Sequence, residues 1–292
     1  HRLLSSLLLL GLSAACYAQT VYLAGDSTTA RGNTVIDGLT SSPSHLSIHL
    51  TTNPGWGQYI GRYLSIPVVN KAIGGRSARS FTAEGRFQEI ANLVRNGDYV
   101  IIEFGHNDGT SGAVDNGRQC AVGDSYSLTT TVKDAKCVTP HPFPHTLTDL
   151  IPTLLSQTSS GNSIVIHTWP YYIQNAISLL QSRGAKVILA SQTPRNNWSN
   201  GSIEGPPRFV GYAQLVASRM SGVTYINHYA YVAQAYKRLG QSTVNTFYPQ
   251  DVLHTNAAGA DVVAKALVRG LLCSGSDLKG RVNQAGQSVP GE

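Results

Sequence analysis

The stretch VYLAGDSTTA (residues 21–30) runs four apolar or aromatic residues into Gly25-Asp26-Ser27. An apolar run of this length without polar alternation reads as a strand covered on both faces, the pattern of parallel sheets. A serine at the end of such a strand is by default a helix N-cap, its hydroxyl accepting a backbone N–H that the first turn cannot satisfy. A catalytic reading needs partners elsewhere in the chain.

The same pattern recurs in PVVN (67–70), YVIIEFG (99–105), AKVILAS (185–191) and VTYI (223–226). Helical patterns lie between these runs: GWGQYIGRYL (55–64), EGRFQEIANLV (84–94), YYIQNAISLLQSRG (171–184) and RFVGYAQLVASRM (208–220), with AAGADVVAKALVRGLL (257–272) closing the series. Alternation of this kind predicts an α/β fold with right-handed crossovers, helices covering both faces of a central parallel sheet. Ligands of such sheets bind at the carboxyl ends of the strands. Three predicted strands end there on Gly25-Asp26-Ser27, on Asn70 leading into AIGGRSARS (72–80), and on GHNDG (105–109).

Composition and the termini bound the function. The first eighteen residues, HRLLSSLLLLGLSAACYA, carry one cation, an apolar stretch from Leu7 to Leu12 and small residues up to Ala18, the layout of a secretory leader cleaved after Ala18. That stretch is too short to span a bilayer, so a secreted, extracellular protein without a membrane segment is expected. Removing 18 of 292 residues leaves 274, read as one domain over residues 19–273 and a polar, flexible tail over 274–292. The sequons at Asn197 and Asn200 fit secretion, and their crowding suggests that one is used. Of four cysteines, Cys16 leaves with the leader, Cys120 and Cys137 form the natural pair of an oxidising compartment, and Cys273 is left over. The formal net charge of +6 suits an anionic glycan partner or simple solubility. No basic block or binding motif points to nucleic acid, and a monomer is expected.

Near the C-terminal end, YPQDVLHTNAAGA (248–260) places Asp251 and His254 three residues apart before the last helix. Alone this could be a surface turn capped by Asp251. Together, Gly25-Asp26-Ser27, Gly75, the Gly-x-Asn-Asp of Gly105 to Asp108 and the Asp-x-x-His of Asp251 to His254 resemble, in order, the four blocks of the SGNH (GDSL-like) hydrolases. Within that superfamily the chain closely resembles the fungal rhamnogalacturonan acetylesterases, through VYLAGDST, GWGQYIGRYL, VVNKAIGGRSARSFTAEGRF, GDYVIIEFGHNDG, GAKVILASQTPRNNW and LHTNAAGADVVA, which span residues 21 to about 273. The resemblance implies a three-layer α/β/α sandwich of the SGNH-hydrolase, flavodoxin-like type.

It also implies a serine esterase. A serine hydroxyl is a poor nucleophile without an adjacent base. Ser27 is then the nucleophile, His254 the base that takes and returns its proton, and Asp251 the carboxylate that holds the imidazole tautomer. The oxyanion donors implied are the backbone N–H groups of Ser27 and Gly75 and the side-chain amide of Asn107, with glycine allowing close backbone approach. The substrate class implied is acetylated plant cell-wall polysaccharide, foremost acetylated rhamnogalacturonan in pectin. Alternatives are an esterase for acetylxylan or other acyl esters, and a carbohydrate-binding relative that has lost its chemistry.

Other residues carry weaker readings. Arg76, Arg79 and Arg86 follow Gly75 and could meet uronate carboxylates, or be salt-bridged. Asp108 is read as loop support, and Glu103, inside an apolar strand, as a buried paired carboxylate rather than a second catalytic acid. His141 and His145 are four apart, but the prolines of HPFPH forbid the helix that would make a zinc face. No metal or cofactor is expected. Residues 32–54 and 139–162 look longer than the family's connections and read as lids or as retained intron. The family's C-terminal disulfide lacks its second cysteine, because Ser274 to Glu292 contains none.

Overall fold

The computed structural model describes residues 18–32, 34–37, 49–109, 112–135 and 159–291. The leader up to residue 17, Cys137, His141, His145 and the middle of both long segments lie outside the described residues.

In chain order the strands are β1 (Val21–Gly25), β2 (Thr34–Asp37), β3 (His49–Thr52), β4 (Val68–Asn70), β5 (Tyr99–Glu103), β6 (Thr129–Ala135), β7 (Ser159–His167), β8 (Lys186–Ala190), β9 (Trp198–Ser199), β10 (Ser202–Ile203) and β11 (Thr224–Ile226). The helices are α1 (Ala78–Ala83), α2 (Arg86–Leu93), α3 (Trp169–Gln181), α4 (Arg208–Arg219), α5 (His228–Leu239), α6 (Gln241–Asn245), α7 (Ala257–Leu272) and α8 (Gln284–Gln287).

All five expected apolar runs form one parallel sheet, ordered β4-β1-β5-β8-β11. Counted by appearance this is the doubly wound order 2-1-3-4-5, whose direction reverses between β1 and β5. There the pairing runs from Val21 opposite Tyr99 to Gly25 opposite Glu103, so both strands end at the same level. Their side chains alternate between two cores, as strand pleating requires. Val21, Leu23, Tyr99 and Ile101 face one layer with Trp56, Val263 and Leu267. Tyr22, Ala24, Val100 and Ile102 face the other with Ile90 of α2, Ile173 of α3 and Phe209 of α4. Continuous burial of β1 and β5 is the physical reason their sequences show no polar alternation.

Three local expectations are corrected. GWGQYIGRYL is not an α-helix but two short 3₁₀ turns, Trp56–Gln58 and Ile60–Tyr63. This segment is pressed on the loop after β1: a Cβ on Gly57 would lie 2.3 Å from the Thr29 carbonyl oxygen. The flexible tail is instead ordered through residue 291. Leu278 and Val289 are buried, Leu64 bridges Val282, and Tyr63 O accepts the Asn283 N–H at 3.0 Å. Four helices, α1, α5, α6 and α8, have no counterpart among the sequence patterns. α1 is held by a capping box between Ser77 and Ser80, while Asn227 caps α5 and Gly240 ends it.

Both long segments leave and re-enter through antiparallel ladders, β2 with β3 and β6 with β7. Among the described residues no helix is long and apolar enough to cross a membrane.

Candidate active site

β1 ends where the chain must turn in little space, since a Cβ on Gly25 would meet Thr29 Oγ1 at 2.6 Å. The buried Asp26 carboxylate then folds the turn locally: its Oδ1 accepts from the Thr28 N–H at 2.9 Å and from the Thr28 hydroxyl at 2.8 Å. Its backbone carbonyl accepts from Thr29 and Ala30 at 3.1 and 3.0 Å. No α-helix starts here, and the Ser27 hydroxyl is not a cap. Its Oγ lies 2.9 Å from Nε2 of His254.

The Asp251–His254 turn is organised by its own carboxylate. Asp251 Oδ1 accepts the backbone N–H groups of Leu253 and His254, both at 2.7 Å, while Oδ2 accepts Nδ1–H of His254 at 2.6 Å. Partial burial raises the Asp251 pKa, but the hydrogen bonds from His254 and Leu253 outweigh it and hold the carboxyl below its usual value. An ionised Asp251 keeps the proton on Nδ1, so Nε2 is the ring's acceptor and the Ser27 hydroxyl donates to it. Asn256 follows at the N-cap of α7, accepting the Gly259 N–H at 3.0 Å, and anchors the turn to the helix.

Gly75 has φ +74°, in the left-handed region that glycine tolerates, and open space where a Cβ would stand. Its loop is tied to β1 by the Ile73 N–H on Gly25 O at 3.0 Å. After β5, Asn107 donates one amide hydrogen to Arg76 O at 3.0 Å, and its Oδ1 accepts from Arg118 Nη1 at 3.3 Å. An amide carries two hydrogens, so one remains for another acceptor. Asp108 Oδ1 accepts the Ala78 N–H at 2.8 Å and joins this loop to the start of α1. Burial pushes the Asp108 carboxyl well above its usual pKa, fitting loop support rather than reaction. Cys120 is buried beside it, its sulfur 3.6 Å from Asp108 Oδ1. Cys273 is exposed at the end of α7.

A cavity of about 190 Å³ opens over this arrangement, lined by Ser27, Asp251, His254, Gly74, Asn53 and Gln250. The last two were not singled out in the sequence. They hydrogen-bond to each other across the rim, and neither lies in a block whose pattern announces it.

The arginines after Gly75 form internal salt bridges, one of their two expected readings. Arg79 is mostly buried, with Nη1 and Nη2 on the Asp115 carboxylate at 2.6 and 2.9 Å and Nη1 on Gln119 O at 3.2 Å. The carboxylate expected from substrate is supplied by the chain itself. Arg76 pairs with Glu84 at 3.0 Å and donates to Gly74 O at 3.1 Å, bracing the Gly75 loop. Arg86 pairs with Glu84 and Glu89. Glu103 is a buried paired carboxylate, accepting from Trp56 Nε1 at 2.8 Å and His228 Nδ1 at 2.6 Å. Among the described residues no group of three or more His, Cys, Asp or Glu side chains could hold a metal ion.

Asn200 and Gly201, at φ +50° and +73°, form the two-residue turn between β9 and β10. Asn-Gly suits that turn irrespective of glycosylation. Asn200 is exposed, whereas Asn197 is half-buried and donates its amide to Glu204 Oε2 at 3.2 Å.

The family described as GDSL-like lipase/acylhydrolase matches residues 23–262. The chain is 43% identical over 267 residues to the rhamnogalacturonan acetylesterase of Emericella nidulans, covering 91% of this chain and 90% of that protein. Over 90 residues it is 42% identical to the rhamnogalacturonan acetylesterase RhgT of Bacillus subtilis, covering 30% of this chain and 33% of that protein. Among solved structures it resembles YxiM of Bacillus subtilis, with a TM-score of 0.57 and 20% identity over 87% of this chain and 56% of that one, a likeness of fold.

Proposed function

Since the chain belongs to the GDSL-like lipase/acylhydrolase family and is a carboxylic ester hydrolase, we propose that it removes acetyl groups from rhamnogalacturonan in pectin, with Ser27, His254 and Asp251 as its catalytic triad. The observation that carries this reading is the hydrogen-bonded run from Ser27 Oγ through His254 to Asp251, opening on a cavity at the point where the strand order reverses. Near-full-length identity of 43% to an enzyme named for rhamnogalacturonan acetate esters supports the substrate. The leader-like first 18 residues support secretion.

In the reaction, Ser27 Oγ attacks the acetyl carbonyl carbon as its proton moves to His254 Nε2. The carbonyl oxygen becomes an oxyanion held by the N–H groups of Ser27 and Gly75 and the free amide hydrogen of Asn107. Each such donor is worth about 3 kcal/mol of barrier. Asp251 stabilises the imidazolium, which protonates the departing sugar oxygen as the C–O bond breaks, releasing it as a hydroxyl. Water, deprotonated by His254, then cleaves the acetyl-serine and releases acetate.

The test is acetate release from acetylated rhamnogalacturonan, acetylxylan and a small aryl acetate, compared as kcat/KM. Preference for acetylated rhamnogalacturonan is the expected result. A preference for acetylxylan would move the assignment to that polymer, and no turnover on any of them would favour a binding relative.

A further inference from the structure

A second cleft, of about 300 Å³, lies along the same sheet edge, beyond the ends of β5 and β8. Gly105, His106, Gln192 and Thr193 line it, as do Arg195 and, from the β9–β10 side, Glu204. His106 directly precedes Asn107, so this cleft adjoins the proposed oxyanion donor.

The charges there are unevenly satisfied. His106 Nδ1 accepts from the Gln192 amide at 3.3 Å, which leaves the proton on Nε2, donated to Thr193 Oγ1 at 3.2 Å. Burial first, with help from the Arg195 charge, lowers the pKa of this imidazole, so His106 supplies no cation. The Glu204 carboxylate accepts from Asn197. Arg195 is exposed, and no described residue hydrogen-bonds to its guanidinium or lies in ion-pair reach of it, in contrast with the paired Arg76, Arg79 and Arg86. A bidentate donor without an internal acceptor, lining a cleft, matches a carboxylate ligand. Phe209 and Tyr229, both largely buried, form part of the cleft wall.

We propose that this cleft is a uronate subsite, in which Arg195 pairs with the carboxylate of a galacturonate residue of the same glycan, near the acetylated sugar. The assignment rests on the rhamnogalacturonan reading above. β1 and β8 are separated by two strand intervals, roughly 10 Å, so a glycan lying across the sheet edge can reach both the Ser27 cavity and this cleft.

The experiment is calorimetric titration of the Ser27→Ala protein with a rhamnogalacturonan oligosaccharide and with the same oligosaccharide after reduction of its carboxyl groups. Adding Arg195→Ala should weaken binding of the acidic form by about tenfold, the effect of losing one charge-assisted contact, and leave the reduced form unchanged. Arg195→Lys should retain part of the affinity, and Glu204→Gln should tighten the acidic form by removing a like charge. Unchanged binding of the acidic form in Arg195→Ala, or equal loss for both forms, would overturn the subsite. Acetate release decides the substrate reading separately. Failure to deacetylate the polymer while oligosaccharide binding still needs Arg195 and the carboxylate would reject that reading and keep the subsite.

Discussion

Two carboxylate–imidazole pairs in this molecule share the same short contact and differ in everything around it. Glu103 and His228 meet at 2.6 Å with side-chain exposures of 1% and 0%, and Asp251 and His254 meet at 2.6 Å with exposures of 44% and 31%. The far nitrogen separates them. His228 Nε2 lies 2.9 Å from the Val263 carbonyl, an oxygen that has no proton to give. His254 Nε2 instead faces a hydroxyl that can give one. The first pair stitches β5 to α5 and α7. The second is available for chemistry. A carboxylate–histidine pair is thus no catalytic signature until the other nitrogen's partner is known.

The comparison can be broken most sharply by removing each histidine. His254→Ala should lower kcat/KM for acetate esters by about 10⁴-fold or more, with unfolding free energy within about 0.5 kcal/mol of the parent. Steady-state kinetics and chemical denaturation on one preparation check both halves. Asp251→Asn should cost somewhat less, on the order of 10³- to 10⁴-fold, because the imidazole loses the partner that fixes its tautomer. A loss of only a few-fold would show that Asp251 merely shapes the turn.

The buried pair should show the reverse. Glu103→Ala leaves His228 and the Trp56 indole without their acceptor and should cost about 3–5 kcal/mol of stability, while the fraction still folded retains turnover close to the parent's. Matching losses of turnover and stability would mean that this pair also positions the nucleophile loop.

A third carboxylate sharpens the comparison through pH. Burial raises the Asp108 pKa above its ordinary value of 3.8, so between 3.8 and the raised value the native state keeps a proton that the unfolded state has lost. The unfolded state then binds fewer protons, and this group makes stability fall as pH rises through that window. Asp108→Asn lacks the group and should gain stability relative to the parent above pH 3.8, with the gain disappearing below it. Denaturant midpoints on either side of that pH test this, and a pH-independent difference would contradict it.

The smallest effect concerns a glycan and leaves turnover nearly untouched. Secreted from a fungal host, the protein should carry a glycan at the exposed Asn200. Intact mass should therefore fall on Asn200→Gln and stay unchanged, apart from the substitution, on Asn197→Gln.

The sheet was legible because β1, β5 and β8 are buried on both faces, and burial writes itself as apolar runs such as YVII and VILA. Ser27, Asn107, Asp251 and His254 were legible because their blocks keep a fixed order along the chain. What sequence could not show was pairing at long range. The partner of Glu103 is 125 residues away in α5, a helix whose Asn227 cap and closing Gly240 were the missed signals. Arg79 meets Asp115 across 36 residues, which no local pattern announces. Gly57 misled for a related reason, since its close approach to Thr29 is a tertiary contact and not a helical period.

The central claim, that Ser27 is the acyl-accepting nucleophile activated by His254, is tested most directly by treating the protein with a serine-directed fluorophosphonate and locating the adduct by peptide mass spectrometry. The expected result is one adduct, on the peptide carrying Ser27, formed by the parent protein and by the folded fraction of His228→Ala but not by His254→Ala. An adduct on another residue, or undiminished labelling of Ser27 in His254→Ala, would contradict it.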